Sequence, residues 1–284
     1  MPSKAKAEES KLEPHAKRED TPMTQISELK SATHNGETIR YLDTGAGEPA
    51  IVFVHGWCCD NTYWRDQVPV FAANHRVVAV DLPGHGSSDK PDRDYTIDNF
   101  VDVVASLIGE LGLDKPIVVG HSMGGVIVMN LARKHPDLTR GAVIVDAPLV
   151  PLPDALLPVV AQTLEAFKSP AYKEAAAGFV RTQLFNAASP PDMVEETIAG
   201  MGTAPQRVVY SAIESTLSPE SCVPGPIGVP AVFLRAANLF ATAEQLQERY
   251  PGLEVAEFDC SHFVQMERPT ETNAAITKFI EALP

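Results

Sequence analysis

A mostly parallel α/β sheet, covered by helices on both faces and interrupted by one helical insertion, is the architecture this sequence predicts. Three observations carry that expectation. Short, unbroken apolar runs rich in Val and Ile recur along the chain. Longer segments with helical spacing separate them. One stretch, residues 148–228, breaks the alternation and offers no buried strand. Unbroken apolar strands suit a sheet buried on both sides, because alternate residues then face two helical layers.

The elements follow in order. Thr38–Leu42 reads as an edge strand, followed by the turn Gly45-Ala46-Gly47. Ala50–His55 and Arg76–Asp81 read as buried strands. Ile97–Leu111 has helical spacing, with Phe100, Val104, Leu107, Ile108 and Leu111 on one face and Gly112 as its stop. Pro116–His121 is a strand, Met123–His135 a helix ended by Pro136, and Gly141–Asp146 the next strand. Val229–Arg235 and Leu253–Phe258 are two more strands, with helices over Thr242–Tyr250 and Thr270–Leu283. The insertion begins Pro-rich (Pro148, Pro151, Pro153, Pro158) and then turns amphipathic and helical. Residues 24–147 and 229–284 are therefore expected to form the core. Residues 148–228 are expected to form a cap, because ligands bind outside the carboxyl ends of parallel strands.

Composition narrows the function classes. The chain has 284 residues, 44% of them hydrophobic, enough for one large core without disulfide staples. The net charge of −14 argues against nucleic acid and anionic membranes as partners. The four cysteines, Cys58, Cys59, Cys222 and Cys260, include no C-x-x-C pair, so neither a metal site nor a disulfide framework is expected. No apolar run approaches the roughly 20 residues of a membrane helix. Residues 1–23 are rich in Lys, Glu and Ala, carry balanced charge and lack the apolar segment of a secretory leader. A disordered tail, a start at Met23 as an alternative, a cytoplasmic location and a monomer or homodimer are the expectations.

The sharpest motif is Gly120-His121-Ser122-Met123-Gly124, between a strand and a helix. G-x-S-x-G in that context lifts a serine hydroxyl above a helix N-terminus, where free N–H groups favour developing negative charge. Such a serine needs a base. Of the histidines after it, His135 ends a helix, where a cation complements the dipole, and His262 follows the last strand. His262 is the candidate base. His85 and Ser87 read as structural, Cys58 and Cys59 as pocket-side thiols without catalytic work, and Asp259 as a solvated loop carboxylate.

Val54-His55-Gly56-Trp57, Asp81–Asp89 (DLPGHGSSD), Gly120–Gly125 (GHSMGG), and Ser261-His262 followed by Glu267-Arg268-Pro269 together resemble the α/β-hydrolase superfamily, from about Thr38 to Leu283. The resemblance implies an α/β-hydrolase fold, Ser122 as nucleophile, His262 as base, and an oxyanion hole made by the backbone N–H groups of Trp57 and Met123. It also implies a triad acid just beyond the Val229–Arg235 strand, and here the sequence departs, because Asn238 stands there. Asp146, at the end of the preceding strand, is the favoured acid. An uncharged orienting role for Asn238 and a degraded site are the alternatives. Trp57, His121 next to the nucleophile, and Leu149 at the start of the insertion are the expected substrate contacts. Leu152, Leu156, Leu157, Phe167, Phe179 and Phe185 could line an apolar acyl pocket or serve as ordinary core.

The function expected is hydrolysis of small-molecule carboxylic esters through an acyl-enzyme, with no metal or cofactor. On the same fold, carbon–carbon bond hydrolases, cofactor-free haloperoxidases and hydroxynitrile lyases remain. A cofactor-free dioxygenase is a sharper rival, since it too pairs a His with an Asp after the earlier strand and carries Gly-Trp-Cys after the oxyanion strand. A non-catalytic ligand receptor is the third class.

Overall fold

The structure, a computed structural model, describes residues 28–237 and 239–284. The expected tail, residues 1–23, and Asn238 lie outside the described residues. Eight strands form one sheet: β1 (Lys30–His34), β2 (Glu37–Thr44), β3 (Ile51–Val54), β4 (Val77–Val80), β5 (Ile117–His121), β6 (Gly141–Val145), β7 (Ala231–Ala236) and β8 (Glu254–Phe258). Their order is β1-β2-β4-β3-β5-β6-β7-β8. From β4 through β8 all neighbours are parallel, while β1–β2 and β2–β4 are antiparallel.

Strands β3 to β6 are buried at every position, as expected for strands sandwiched between layers. Successive side chains point to opposite faces and build two separate cores. Val52, Val54, Val78 and Val80 meet one helical layer, while Ile51, Phe53, Val77 and Ala79 meet the other. The first layer holds α2 (after the short α1, Val68–Phe71), which spans Ile97–Glu110, and α3 (Met123–Lys134). Thr96 caps α2 by accepting from the Asn99 N–H.

Thr38–Leu42 is part of β2 and is not the sheet edge. β1 pairs outside it through a hairpin whose turn residues, Asn35 and Gly36, have φ of 50° and 82°. Asn-Gly tolerates two successive positive φ angles, the geometry a two-residue hairpin requires.

Between β6 and β7 lie α4 (Leu157–Lys168), α5 (Tyr172–Phe179) running into a π-helical turn (Val180–Leu184), α6 (Pro191–Met201) and α7 (Gln206–Thr216). The chain returns through β7, α8 (Ala243–Arg249), β8, α9 (Val264–Glu267) and α10 (Pro269–Ala282). Among the described residues no helix is long and apolar enough to cross a membrane. From β3 the chain steps one way to β4 and then crosses back to β5. The carboxyl ends of β3 and β5 thus flank a topological switch point, where a crevice opens.

Candidate active site

Ser122 sits in that crevice, between β5 and α3, with φ 55° and ψ −118°. A non-glycine residue held there costs of order 1–3 kcal/mol, so the surroundings must enforce it. They do so by close backbone approach. A Cβ on Gly120 would stand 2.1 Å from the Gly124 carbonyl oxygen, and one on Gly124 would stand 2.2 Å from that of Val54. Only glycines allow α3 to start this close to β3 and β5. The Ser122 N–H donates to Val145 O (2.8 Å), and its carbonyl accepts from the Val126 N–H (3.1 Å), opening the helix.

Asp146 directly follows β6, with φ 43° and 1% exposure. Its Oδ1 accepts from the Ala236 N–H at 2.8 Å, and its Oδ2 lies 2.7 Å from His262 Nδ1. A carboxylate there makes Nδ1 the donor and leaves Nε2 as the free basic nitrogen. The His262 backbone is fixed on both sides: its N–H donates to Leu184 O (3.2 Å), and its carbonyl accepts from His121 Nε2 (3.0 Å). One residue earlier, Ser261 is bound through its N–H and hydroxyl by the Glu267 carboxylate, which also accepts from Ser189 of the insertion. Ser122 and His262 line the same cavity, yet among the described residues no hydrogen bond joins Ser122 Oγ to the imidazole. Such bonds are often loose in the absence of substrate and tighten in the reacting complex.

The oxyanion candidates come from the ends of β3 and β5. His55 is fully buried, its Nδ1 donating to Gly56 O (2.8 Å) and its Nε2 accepting from the Leu82 N–H (3.0 Å). Burial pushes its pKa down, so it stays neutral and can hold both bonds. That pins the Gly56 peptide ahead of Trp57. Among the described residues neither the Trp57 nor the Met123 N–H finds an acceptor. The Trp57 indole reaches the insertion, donating to Val209 O (2.9 Å) and stacking on Phe167 at 5.5 Å.

The cavity holds about 590 Å³. Among the described lining residues Asp146 is the only carboxylate, and there is no Lys or Arg. Of the expected contacts, Trp57 and His121 line it and Leu149 does not. Leu149 is fully buried in the core, where its carbonyl accepts from the Tyr250 hydroxyl (2.8 Å), and Pro148 and Leu152 face the cavity instead. Leu152, Leu156, Phe167 and Phe179 line the cavity, whereas Phe185 stacks on Phe263 behind it. Burial and the neighbouring His262 push the His121 pKa well down, so it is neutral. Burial pushes both the Cys58 and Cys59 thiols up, which removes them as thiolates. Burial likewise drives His85 down to about 3. Its Nδ1 donates to Pro83 O, and the Ser87 N–H donates to Asp81, a loop-building arrangement.

The positioning work of His55, Leu184, Ser189 and Glu267 was not visible in the sequence. Each acts across a tertiary contact that no local spacing encodes. His55 and Glu267 left a trace, as parts of the Val54–Trp57 and Glu267–Pro269 stretches.

Residues 51–275 match the model of the alpha/beta hydrolase family. Bifunctional epoxide hydrolase 2 of Rattus norvegicus is 32% identical over 119 residues, 41% of this chain and 21% of that protein, so the match spans about a fifth of the relative's length. A haloalkane dehalogenase of Sphingobium indicum is 26% identical over 91% of this chain and 97% of its own. Among solved structures, an enol-lactonase from Burkholderia xenovorans LB400 superposes with a TM-score of 0.78 at 23% identity, covering 89% of this chain and 100% of its own. At that identity the likeness shows the fold alone.

Proposed function

This chain belongs to the alpha/beta hydrolase family, and we propose that it hydrolyses small carboxylic esters through an acyl-enzyme on Ser122, with His262 as base and Asp146 as the acid. The observation that carries this reading is the 2.7 Å pairing of His262 Nδ1 with the buried Asp146 carboxylate, beside a serine held at a strained strand-to-helix elbow. Ser122 Oγ attacks the ester carbonyl while its proton passes to His262 Nε2. The carbonyl oxygen becomes an oxyanion facing the Trp57 and Met123 amides, each such donor worth roughly 3 kcal/mol of barrier. The C–O bond to the alcohol then breaks, and His262 returns the proton to the leaving oxygen. Water, deprotonated by the same nitrogen, cleaves the acyl–serine bond and releases the acid and Ser122. The insertion, residues 148–228, serves as the cap that supplies the apolar walls.

The nucleophile also separates this reading from the reactions named for some relatives. Displacement at an alkyl halide or epoxide by a serine oxygen would leave an ether on the enzyme, which water does not cleave. A carboxylate nucleophile would leave a hydrolysable ester, and a serine needs an acyl carbon for the same outcome.

A second reading has one observation in its favour. The His262–Asp146 pair is complete without a hydrogen bond to Ser122, which suits a base that deprotonates an organic substrate for reaction with oxygen, as in the cofactor-free dioxygenases. Turnover of p-nitrophenyl butyrate, lost in Ser122→Ala, supports the hydrolase. Oxygen uptake with a hydroxylated heteroaromatic, persisting in Ser122→Ala without ester turnover, would replace it.

A further inference from the structure

We infer that the site takes neutral lipophilic esters whose alkyl chain outgrows the cavity and leaves it across an apolar rim formed by Leu156, Val159 and Phe240. The inference rests on the ester reading above and deepens it to a substrate class.

Six large hydrophobic side chains are exposed among the described residues, and three of them, Leu156, Val159 and Phe240, are at the same time cavity-lining residues. Singly scattered exposed hydrophobics are ordinary, but three from two separate elements meeting at one opening are not scatter. Leu156 and Val159 come from the start of the insertion, at and just before the first turn of α4, and Phe240 comes from the segment after β7. Their exposures of 40%, 59% and 38% place them at the mouth, partly in water and partly against the cavity. Leu157, 49% exposed and next to Leu156, extends the apolar surface outward.

The deeper walls are pinned by tertiary contacts. Trp57 is bolted to α7 by its indole bond to Val209 O, and Phe167 and Phe179 stand edge-to-face at 5.9 Å and close on the same indole. The opposite wall is held by the His262 N–H bond to Leu184 O. A cavity of about 590 Å³ falls in the usual range for small-molecule sites. A longer alkyl chain outgrows this volume and meets the exposed apolar rim, where each methylene that leaves water gains affinity.

Charge sets the rest of the class. With no Lys or Arg among the described lining residues and a net charge of −14, no lysine or arginine side chain offsets an anionic head group. A free fatty acid or phosphorylated lipid would enter beside Asp146 without a counter-ion, whereas a neutral ester pays no such penalty. The chain can belong to the acyl or the alcohol half of the ester, and the assay separates the two.

The test compares p-nitrophenyl octanoate with p-nitrophenyl butyrate (acyl arm) and octyl acetate with ethyl acetate (alcohol arm), in the native chain and in a Leu156→Ser/Val159→Ser/Phe240→Ser variant. Ser122→Ala with octanamide and butanamide in a calorimetric titration gives a binding readout independent of chemistry. The expected result is that kcat/KM for the long chain exceeds that for the short one by tenfold or more in one arm. The rim variant then lowers the long-to-short ratio of kcat/KM about tenfold, whatever it does to short-chain turnover. Octanamide binds about tenfold tighter than butanamide, and the rim substitutions cancel most of that gain. Short-chain turnover with no long-chain preference, and equal amide affinities, overturns the inference and leaves the ester reading standing. No ester turnover, with the octanamide preference intact, removes the ester reading and leaves a lipophilic-ligand site. Concentration-dependent dimerisation abolished by the rim variant, with chain-length preference unaltered, assigns the rim to a second copy and overturns the inference.

Discussion

His262 Nδ1 stands 2.7 Å from Asp146 Oδ2, although 116 positions separate the two residues and they follow different strands. The second carboxylate oxygen is spent on the Ala236 N–H, so the carboxylate cannot rotate away from the imidazole without losing a buried bond. The expected position of the acid, Asn238, carries no charge. In the proposed mechanism the electrostatic stabilisation of the imidazolium therefore falls to Asp146.

Asp146→Asn is expected to lower kcat/KM by roughly a thousandfold to ten-thousandfold, because the amide favours the wrong imidazole tautomer and removes the charge. Asn238→Ala should cost less than about tenfold. Steady-state kinetics on p-nitrophenyl butyrate, with circular dichroism to confirm folding, checks both. Comparable small losses from the two substitutions would refute the assignment.

Trp57 ties the loop after β3, which carries the proposed oxyanion donor, to the insertion. Trp57→Phe keeps an aromatic ring against Phe167 but leaves Val209 O without its donor. A loss of about 1–3 kcal/mol in unfolding free energy is expected. If the tie also positions the Trp57 amide, kcat should fall more than KM rises, since that amide acts on the oxyanion alone. Urea titration and a kcat–KM comparison test the pair of effects. An unchanged kcat would separate the indole from the oxyanion loop.

The elbow tolerates no side chain at Gly124. Gly124→Ala would place a methyl against the Val54 and His55 carbonyls. About 3 kcal/mol of destabilisation and loss of ester turnover are expected. A denaturation midpoint equal to that of the unaltered chain would contradict the geometry.

Stability should depend on pH through buried histidines. His55, His85 and His121 are all held neutral by burial, with His85 down at about 3. Their folded pKa values lie below the unfolded value near 6.5, so the unfolded chain binds more protons as pH falls. The stabilisation is whole above about pH 6.5 and is lost progressively below it, at up to about 1.4 kcal/mol per pH unit for each histidine. Carboxylates such as Asp43, whose pKa is lowered by Arg76 and Lys30 against the opposing effect of burial, add their loss only at lower pH. Urea unfolding at pH 7.5, 6 and 5 should show declining stability, with a shallower decline in His85→Gln. A flat profile would mean that these rings are hydrated.

Much of this molecule was legible in the sequence because its signals are local. The unbroken runs of β3 to β6 and the glycines around Ser122 each report their own environment. The hairpin strand β1 escaped because KSATH has one buried residue, Ala32, and no periodicity. Its only cue was the Asn35-Gly36 turn. Asp146 could be favoured but not isolated, since the choice depends on where β8 brings His262. Leu149 was misplaced for a related reason: its neighbours face the cavity, but the turn after Asp146 directs its side chain into the core. The Ser189–Glu267–Ser261 contacts join segments that meet only in the folded chain.

In the proposed mechanism Ser122 Oγ is the atom that takes the acyl group. Intact-mass and peptide mass spectrometry after treatment with a fluorophosphonate tests it most directly. One adduct per chain, mapped to Ser122, is expected, with ester turnover lost in proportion to labelling and no adduct in Ser122→Ala. Full turnover by Ser122→Ala, or an adduct mapped elsewhere while activity disappears, would contradict it.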